Sequence, residues 1–205
     1  MPTQTFENLP KDKKKRIIDA IINELSIHTY EHINIQNIIK EAKIARGSFY
    51  QYFDGKDDVY AFFYQHMKEI KFAFWGPLFT GPLDMTFLER MRLIYVKGFE
   101  FNQKYPKLVQ VAKKISESPA FKNDPTYQDG VKQSIEIYTN FIIKDQEKQI
   151  IRKEIDPEFL AKMIIEFMQK VTLEELLKDE ADLNVIKDKA TELIEIIGKG
   201  IQTHV

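Results

Sequence analysis

Proline spacing constrains this chain more than any other feature. Its eight prolines, Pro2, Pro10, Pro77, Pro82, Pro106, Pro119, Pro125 and Pro157, all fall between stretches of helical periodicity. A proline ring removes a backbone donor and clashes with the carbonyl four residues back. It therefore breaks a helix interior but fits a helix's first turn. The positions cut the chain into helical blocks. Inside the blocks, apolar side chains recur at three- and four-residue spacing, as in Ile17, Ile18, Ile21, Ile22 and Leu25. No stretch alternates as a half-buried strand would. The pattern predicts an all-α chain of about nine helices.

The expected helices cover 10–27, 34–42, 45–53, 56–74, 84–105, 106–117, 124–149, 156–177 and 183–201, with a loop at 75–83. Asn34, Asp54 and Asp84 are the expected N-caps. A chain of 205 residues with 43% hydrophobic and 30% charged side chains can bury a core unaided. The absence of cysteine excludes disulfides, thiolate chemistry and cysteine-type zinc sites, and fits a reducing compartment. No apolar run approaches the roughly 18–20 residues of a membrane span. The first residues lack a basic-then-apolar leader pattern, so the expected location is cytoplasmic, without membrane association.

Residues 30–56 carry the most information. A short helix ends at Lys43-Ile44, and a second short helix follows whose inward residues are Phe49 and Phe53. Its other faces carry Arg46, Ser48, Tyr50 and Gln51, small, basic or hydroxyl-bearing groups suited to phosphate and base-edge hydrogen bonds. A short helix with few bulky outward residues can enter the major groove of duplex DNA. The charge is nearly balanced, at a formal −1 overall, so any contact with nucleic acid rests on local patches. One such patch is the run Lys11, Lys13, Lys14, Lys15 and Arg16, which reads equally well as a solvated basic face.

The sequence Ile44-Ala45-Arg46-Gly47-Ser48-Phe49-Tyr50-Gln51-Tyr52-Phe53, with Lys56 two residues after Asp54, resembles the tetracycline-repressor (TetR) family of transcriptional regulators. The likeness covers residues 10–60 and is architectural beyond them. It implies a three-helix DNA-binding domain with a helix-turn-helix at 1–55, followed by an all-helical effector-binding and dimerisation domain at 56–205. Position by position, it implies that Ala45, Arg46, Gly47 and Ser48 face bases. Gln36 would touch base or backbone, and Tyr50 and Lys56 would contact phosphate. Phe49 and Phe53 would stay in the core. Gln51 belongs to the same outward face. Family members often have glycine at the turn where this chain has Lys43. If that turn needs a positive φ, lysine costs on the order of 1 kcal/mol there, and its charge could reach a phosphate.

From Phe62 onward the blocks are rich in aromatics, and most of these serve a core. The resemblance implies that some line a pocket for a small-molecule effector, with Tyr95, Phe99, Tyr138 and Phe141 as candidates and Asn140 as a further polar one. The last two helices carry unusually broad apolar stripes. Such stripes suggest a four-helix bundle between two copies of the chain, with Phe159, Met163, Phe167, Ile186, Leu193 and Ile197 at a homodimer interface. An intramolecular core is the other reading. His28 and His32 stand four apart but straddle an expected helix end, which disfavours a metal site. No phosphate-binding loop, dinucleotide fingerprint or nucleophile elbow occurs, so neither a cofactor nor an enzymatic activity is expected. The expected function is a ligand-responsive regulator, a repressor that binds a palindromic double-stranded DNA operator as a homodimer and is released by its effector. The alternative is a helical effector-binding or protein-interaction protein that does not read DNA.

Overall fold

A computed structural model describes residues 2–80, 84–117, 125–176 and 182–202. Ten α-helices account for nearly all of them: α1 (Gln4–Glu7), α2 (Lys11–Ile27), α3 (Ile35–Ala42), α4 (Arg46–Tyr52), α5 (Lys56–Thr80), α6 (Phe87–Lys104), α7 (Pro106–Glu117), α8 (Pro125–Glu147), α9 (Pro157–Leu176) and α10 (Leu183–Ile201). A single 3-10 turn spans Tyr30–His32. Among the described residues there is no strand, only an isolated bridge between Ile151 and Gln202. No helix among them is long and apolar enough to cross a membrane. The expected loop prolines Pro82 and Pro119 lie outside the described residues.

The helices form two compact units, residues 1–73 with 104–121, and residues 74–103 with 122–205. In the first, α2 packs against α3 and α7, and α4 packs against α1 and α3. Its core holds Phe6, Ile17, Ile21, Ile38, Phe49, Phe53 and Phe63, all almost completely excluded from water. In the second, α9 packs against α8 and α10. There the core gathers Phe87, Met91, Ile142, Leu160, Ile164 and Ile194.

Several details depart from the sequence reading. Gln4–Glu7 is helical where none was expected; Thr3 caps it, and Phe6 anchors it against the rings of Phe53 and Phe62 at centroid distances of 5.0 and 5.1 Å. Pro77 lies inside α5, which runs through the expected loop to Thr80. The proline forfeits a backbone bond, but burial of Leu78 and bonds to this segment offset that loss. Arg90 donates to the Leu78 carbonyl, and the Trp75 indole N–H donates to the Ile94 carbonyl at 3.4 Å. Finally, α6 begins at Phe87, so its cap is Thr86 rather than Asp84. Thr86 and Glu89 bond reciprocally as a capping box, the Glu89 carboxylate accepting the Thr86 N–H at 2.8 Å and Thr86 Oγ1 accepting the Glu89 N–H at 3.3 Å. Asp84 pairs instead with Lys148 at 2.7 Å.

Candidate nucleic-acid interface

The local geometry of residues 24–56 follows from a few polar anchors. Asn34 caps α3, its side-chain oxygen accepting the Gln36 N–H at 2.9 Å. The Glu24 carboxylate, 4% exposed, accepts the Asn34 N–H at 2.8 Å and the Asn37 side-chain amide at 3.1 Å. This one buried acid ties α2 to the start of α3. Sequence reasoning missed it, because a glutamate in the middle of a charged amphipathic helix reads as a surface residue.

Lys43 ends α3 at φ 52° and ψ 51°, the left-handed region. The Ile44 N–H reaches the Ile39 carbonyl at 3.2 Å and the Lys43 N–H the Lys40 carbonyl at 3.3 Å, the paired bonds of a Schellman turn. Lysine thus stands where the motif favours glycine, and the strain foreseen for a positive φ is present.

That turn delivers the chain into α4. Phe49 and Phe53 point inward at 0% exposure, with ring centroids 5.6 Å apart. Ala45, Arg46, Gly47 and Gln51 are exposed, Tyr50 is 47% exposed and Ser48 is half-buried. Arg46, Gly47, Tyr50 and Gln51, three and four residues apart, therefore lie on one open side of α4. The Arg46 guanidinium lies 5.8 Å from the Tyr50 ring centroid. Gln36, near the start of α3, and Lys43 are exposed as well.

The far end of α4 is held by the N-terminal segment. Thr3 donates its hydroxyl to the Gln51 carbonyl at 2.6 Å and its N–H to the Tyr52 carbonyl at 3.0 Å. Lys56 opens α5, with Asp57 and Asp58 in the same first turn. Gly55, not the expected Asp54, holds the cap position of α5, its carbonyl accepting the Val59 N–H at 3.2 Å. The Asp58 carboxylate accepts the Asp54 N–H at 3.3 Å, so the capping carboxylate reaches back from within the helix. The Lys56 ammonium lies 4.7 Å from the Tyr30 ring centroid. Tyr30 donates its hydroxyl to Asp57, and this bond, with smaller contributions from burial and charge, pushes the phenol up to about 12. Tyr30 stays neutral and fixes the wall against which Lys56 rests.

The basic run divides. Lys14 pairs with Glu7 and Lys15 with Asp19, the latter at 2.6 Å, while the Lys13 ammonium lies over the Tyr52 ring at 5.6 Å. His28 faces Glu24 at 3.8 Å, and His32 Nδ1 lies 3.0 Å from the Thr29 hydroxyl. Among the described residues no cluster of metal-ligating side chains forms.

In the second unit, Tyr95 on α6 and Tyr138 and Phe141 on α8 come together against the core. Phe99 is half-buried on α6 but is not part of that group, and Asn140 is exposed. Tyr138 meets Phe87 edge-on at 5.9 Å and stacks on Phe79 at 6.4 Å. The buried Arg90 guanidinium covers Phe141 at 4.2 Å. Burial pushes the Tyr138 phenol up to about 12; it pushes Tyr95 up as well, with Tyr138 adding to the shift. Both hydroxyls therefore keep their protons at neutral pH.

On α9, Phe159, Met163 and Phe167 are 67%, 43% and 48% exposed at four-residue spacing, while Leu160, Ala161, Ile164 and Met168 fill the opposite face. Leu193 and Ile197 on α10 are half-buried against the unit's own core. The side chain of Ile186 lies outside the described residues.

Residues 17–61 match the family described as bacterial regulatory proteins, tetR family. No curated protein matches the chain. Among solved structures, a TetR family transcriptional regulator from Chloroflexus aurantiacus shares 25% identity over the full length of both chains, with a TM-score of 0.74. A TetR-like transcriptional regulator from Rhodococcus sp. shares 18% identity over 94% of this chain and 100% of its own, at a TM-score of 0.72. A ketosteroid transcriptional regulator of Mycobacterium tuberculosis shares 15% over 96% of this chain and 98% of its own, at 0.64.

Proposed function

With a tetR-family regulatory domain on residues 17–61 and the fold of TetR-family transcriptional regulators over the chain, this protein is, we propose, a ligand-responsive repressor that reads a palindromic operator as a homodimer. The observation that carries the reading is the two-faced character of α4: Phe49 and Phe53 are fully buried, while Arg46, Gly47, Tyr50 and Gln51 stand in the open. A helix so mounted can lie in the major groove without disturbing its own domain. Ala45, Arg46, Gly47 and Ser48 approach base edges, Gln51 and Gln36 flank them, and Tyr50, Lys43 and Lys56 hold phosphates. Lys56 acts from a helix N-terminus, where the dipole also favours an anion. The reading head is residues 1–55, and residues 56–205 bind the effector and dimerise.

Two further features support the regulator's other half. The open stripe of Phe159, Met163 and Phe167 is an apolar surface that a second copy would cover, and Ile186, Leu193 and Ile197 of α10 are proposed to join that interface. The neutral phenols of Tyr95 and Tyr138 among apolar rings suit an apolar effector bearing a few polar groups, with Phe99 and Phe141 as further walls. One solved structure of this fold is a ketosteroid transcriptional regulator, a protein tied by name to such a molecule. Effector binding lowers operator affinity only if the effector prefers the released conformation. The protein works as a regulator and not as an enzyme, in the cytoplasm, where its DNA is.

Selection of bound sequences from a random duplex pool tests DNA reading, palindromy and half-site spacing at once. Against the selected site, Arg46→Ala is expected to lose about 1–3 kcal/mol and to relax one base preference. Lys56→Ala is expected to weaken all duplexes alike and to flatten the salt dependence. A pool that yields no enriched sequence favours the non-DNA alternative.

A further inference from the structure

We propose that the first unit carries a second small-molecule site, a groove for an amphipathic organic anion with one aliphatic tail. It lies among α2, α5 and the start of α7, apart from the aromatic cluster assigned to the effector, and its volume is about 590 Å³. That size falls within the roughly 300–1,000 Å³ of ordinary ligand pockets.

The two parts of its lining differ in chemistry. The floor is apolar, made by Ile18 and Ile22 of α2, Ile70 of α5 and Leu108 of α7. Around it stand five lysines, Lys11, Lys14, Lys15, Lys104 and Lys107, against one carboxylate, Asp19. Asp19 is taken up by Lys15 at 2.6 Å, Lys14 has Glu7 as its partner, and the Lys107 ammonium donates to the neutral Asn23 side-chain oxygen; Lys11 and Lys107 by themselves leave the rim an excess of positive charge. The remaining titratable group, His66, stacks on Phe62 at 5.9 Å, and burial holds its pKa below the usual histidine value. Lys11 is the first residue of α2, Pro106 the first of α7 and Lys104 the last of α6, so the positive ends of two helices and the negative end of one meet at the rim.

This combination selects its ligand by elimination. An inorganic anion would leave the apolar floor unused, and a neutral hydrocarbon would gain nothing from the lysines. A cationic amphiphile would meet repulsion at the rim. A carboxylate on an alkyl chain satisfies both parts, burying methylenes on the isoleucines and placing its charge among the ammonium groups. The basic run that reads from sequence as a DNA contact or a solvated face thus has three members, Lys11, Lys14 and Lys15, on the wall of a groove.

The test uses the full-length protein with labelled isoleucine and leucine methyl groups, titrated with decanoate below its micelle concentration. Saturable shifts at Ile18, Ile22, Ile70 and Leu108 are expected, weakened at least about tenfold by the double substitution Lys14→Glu and Lys107→Glu. Decyltrimethylammonium, of equal tail and opposite charge, is expected to leave those methyls unmoved. The proposal is overturned by shifts confined to second-unit methyls such as Ile142 and Ile164, by equal binding of the cation or of decanol, or by no saturable shift. Should the double variant fail to fold, the comparison of decanoate with decyltrimethylammonium on the unaltered protein decides alone. Because the readout needs no DNA, its failure leaves the operator-reading proposal untouched.

Discussion

Helices α3 and α4 are neighbours of nearly equal length, eight and seven residues, held in opposite ways. Local polar devices surround α3: the Asn34 cap, the Glu24 carboxylate beneath that cap, and the Schellman turn at Lys43. Helix α4 has Ala45 at its N-cap and no side-chain bond there. It is fixed by three buried rings, Phe49, Tyr52 and Phe53, and by Thr3 at its far end. Helices this short are marginal in isolation, so each needs outside support. The difference shows where that support can be placed. A supporting helix can commit its polar atoms to its own ends. A helix meant to present polar side chains outward is better held by its apolar side, which leaves the opposite side open.

The sharpest way to break the comparison is to remove the apolar hold. Phe49→Ala is expected to cost about 3–5 kcal/mol in chemical denaturation, the range for emptying a phenylalanine site in a packed core. A loss below 1 kcal/mol would mean that α4 does not depend on its buried face. Next comes the local hold on α3. Asn34→Ala is expected to cost about 1 kcal/mol, the usual worth of an N-cap. The same exchange has no counterpart at α4, where alanine already occupies the cap.

How far this contrast was legible in the sequence depends on the kind of signal. Asn34 before an apolar run and the inward spacing of Phe49 and Phe53 are local patterns, and the structure has both. The helix-turn-helix was readable for the same reason. Glu24 and Thr3 were not, since each acts on a partner 10 or 48 residues away, and no local pattern encodes a distant partner. Pro77 misled for a related reason: its intrinsic preference is to break a helix, and burial of Leu78 with the Arg90 bond to its carbonyl outweighed that preference. The aromatic second unit was legible as core, but a ring's sequence position does not say which of its sides faces an opening.

Lys43 sharpens the comparison from the other side, because it is the one strained point in the support of α3. A left-handed lysine costs about 1–2 kcal/mol. Replacing it with glycine removes that strain but gives the unfolded chain more freedom, worth about 0.4–1 kcal/mol. Lys43→Gly is therefore expected to raise stability by about 0.5–1 kcal/mol while lowering operator affinity if the ammonium holds a phosphate. Opposite signs in the two measurements would show strain retained at a contact position. Stability gained with affinity unchanged would remove Lys43 from the interface.

The smallest expected change in stability is on the open face of α4. Gln51 is exposed, and its contribution to the fold is its backbone carbonyl, which accepts the Thr3 hydroxyl. Gln51→Ala keeps that carbonyl and adds a good helix former, so the stability change is expected to stay within about 0.5 kcal/mol. Affinity for the selected duplex should nevertheless fall, because a side chain that does so little for the fold is free to be chosen for what it touches outside it. The same logic separates the faces of the helix quantitatively: Phe49→Ala should damage folding and binding together, whereas Gln51→Ala should damage binding alone. If Gln51→Ala destabilises the domain as much as Asn34→Ala does, the polar face of α4 is holding the fold after all, and the division of labour between the two helices fails.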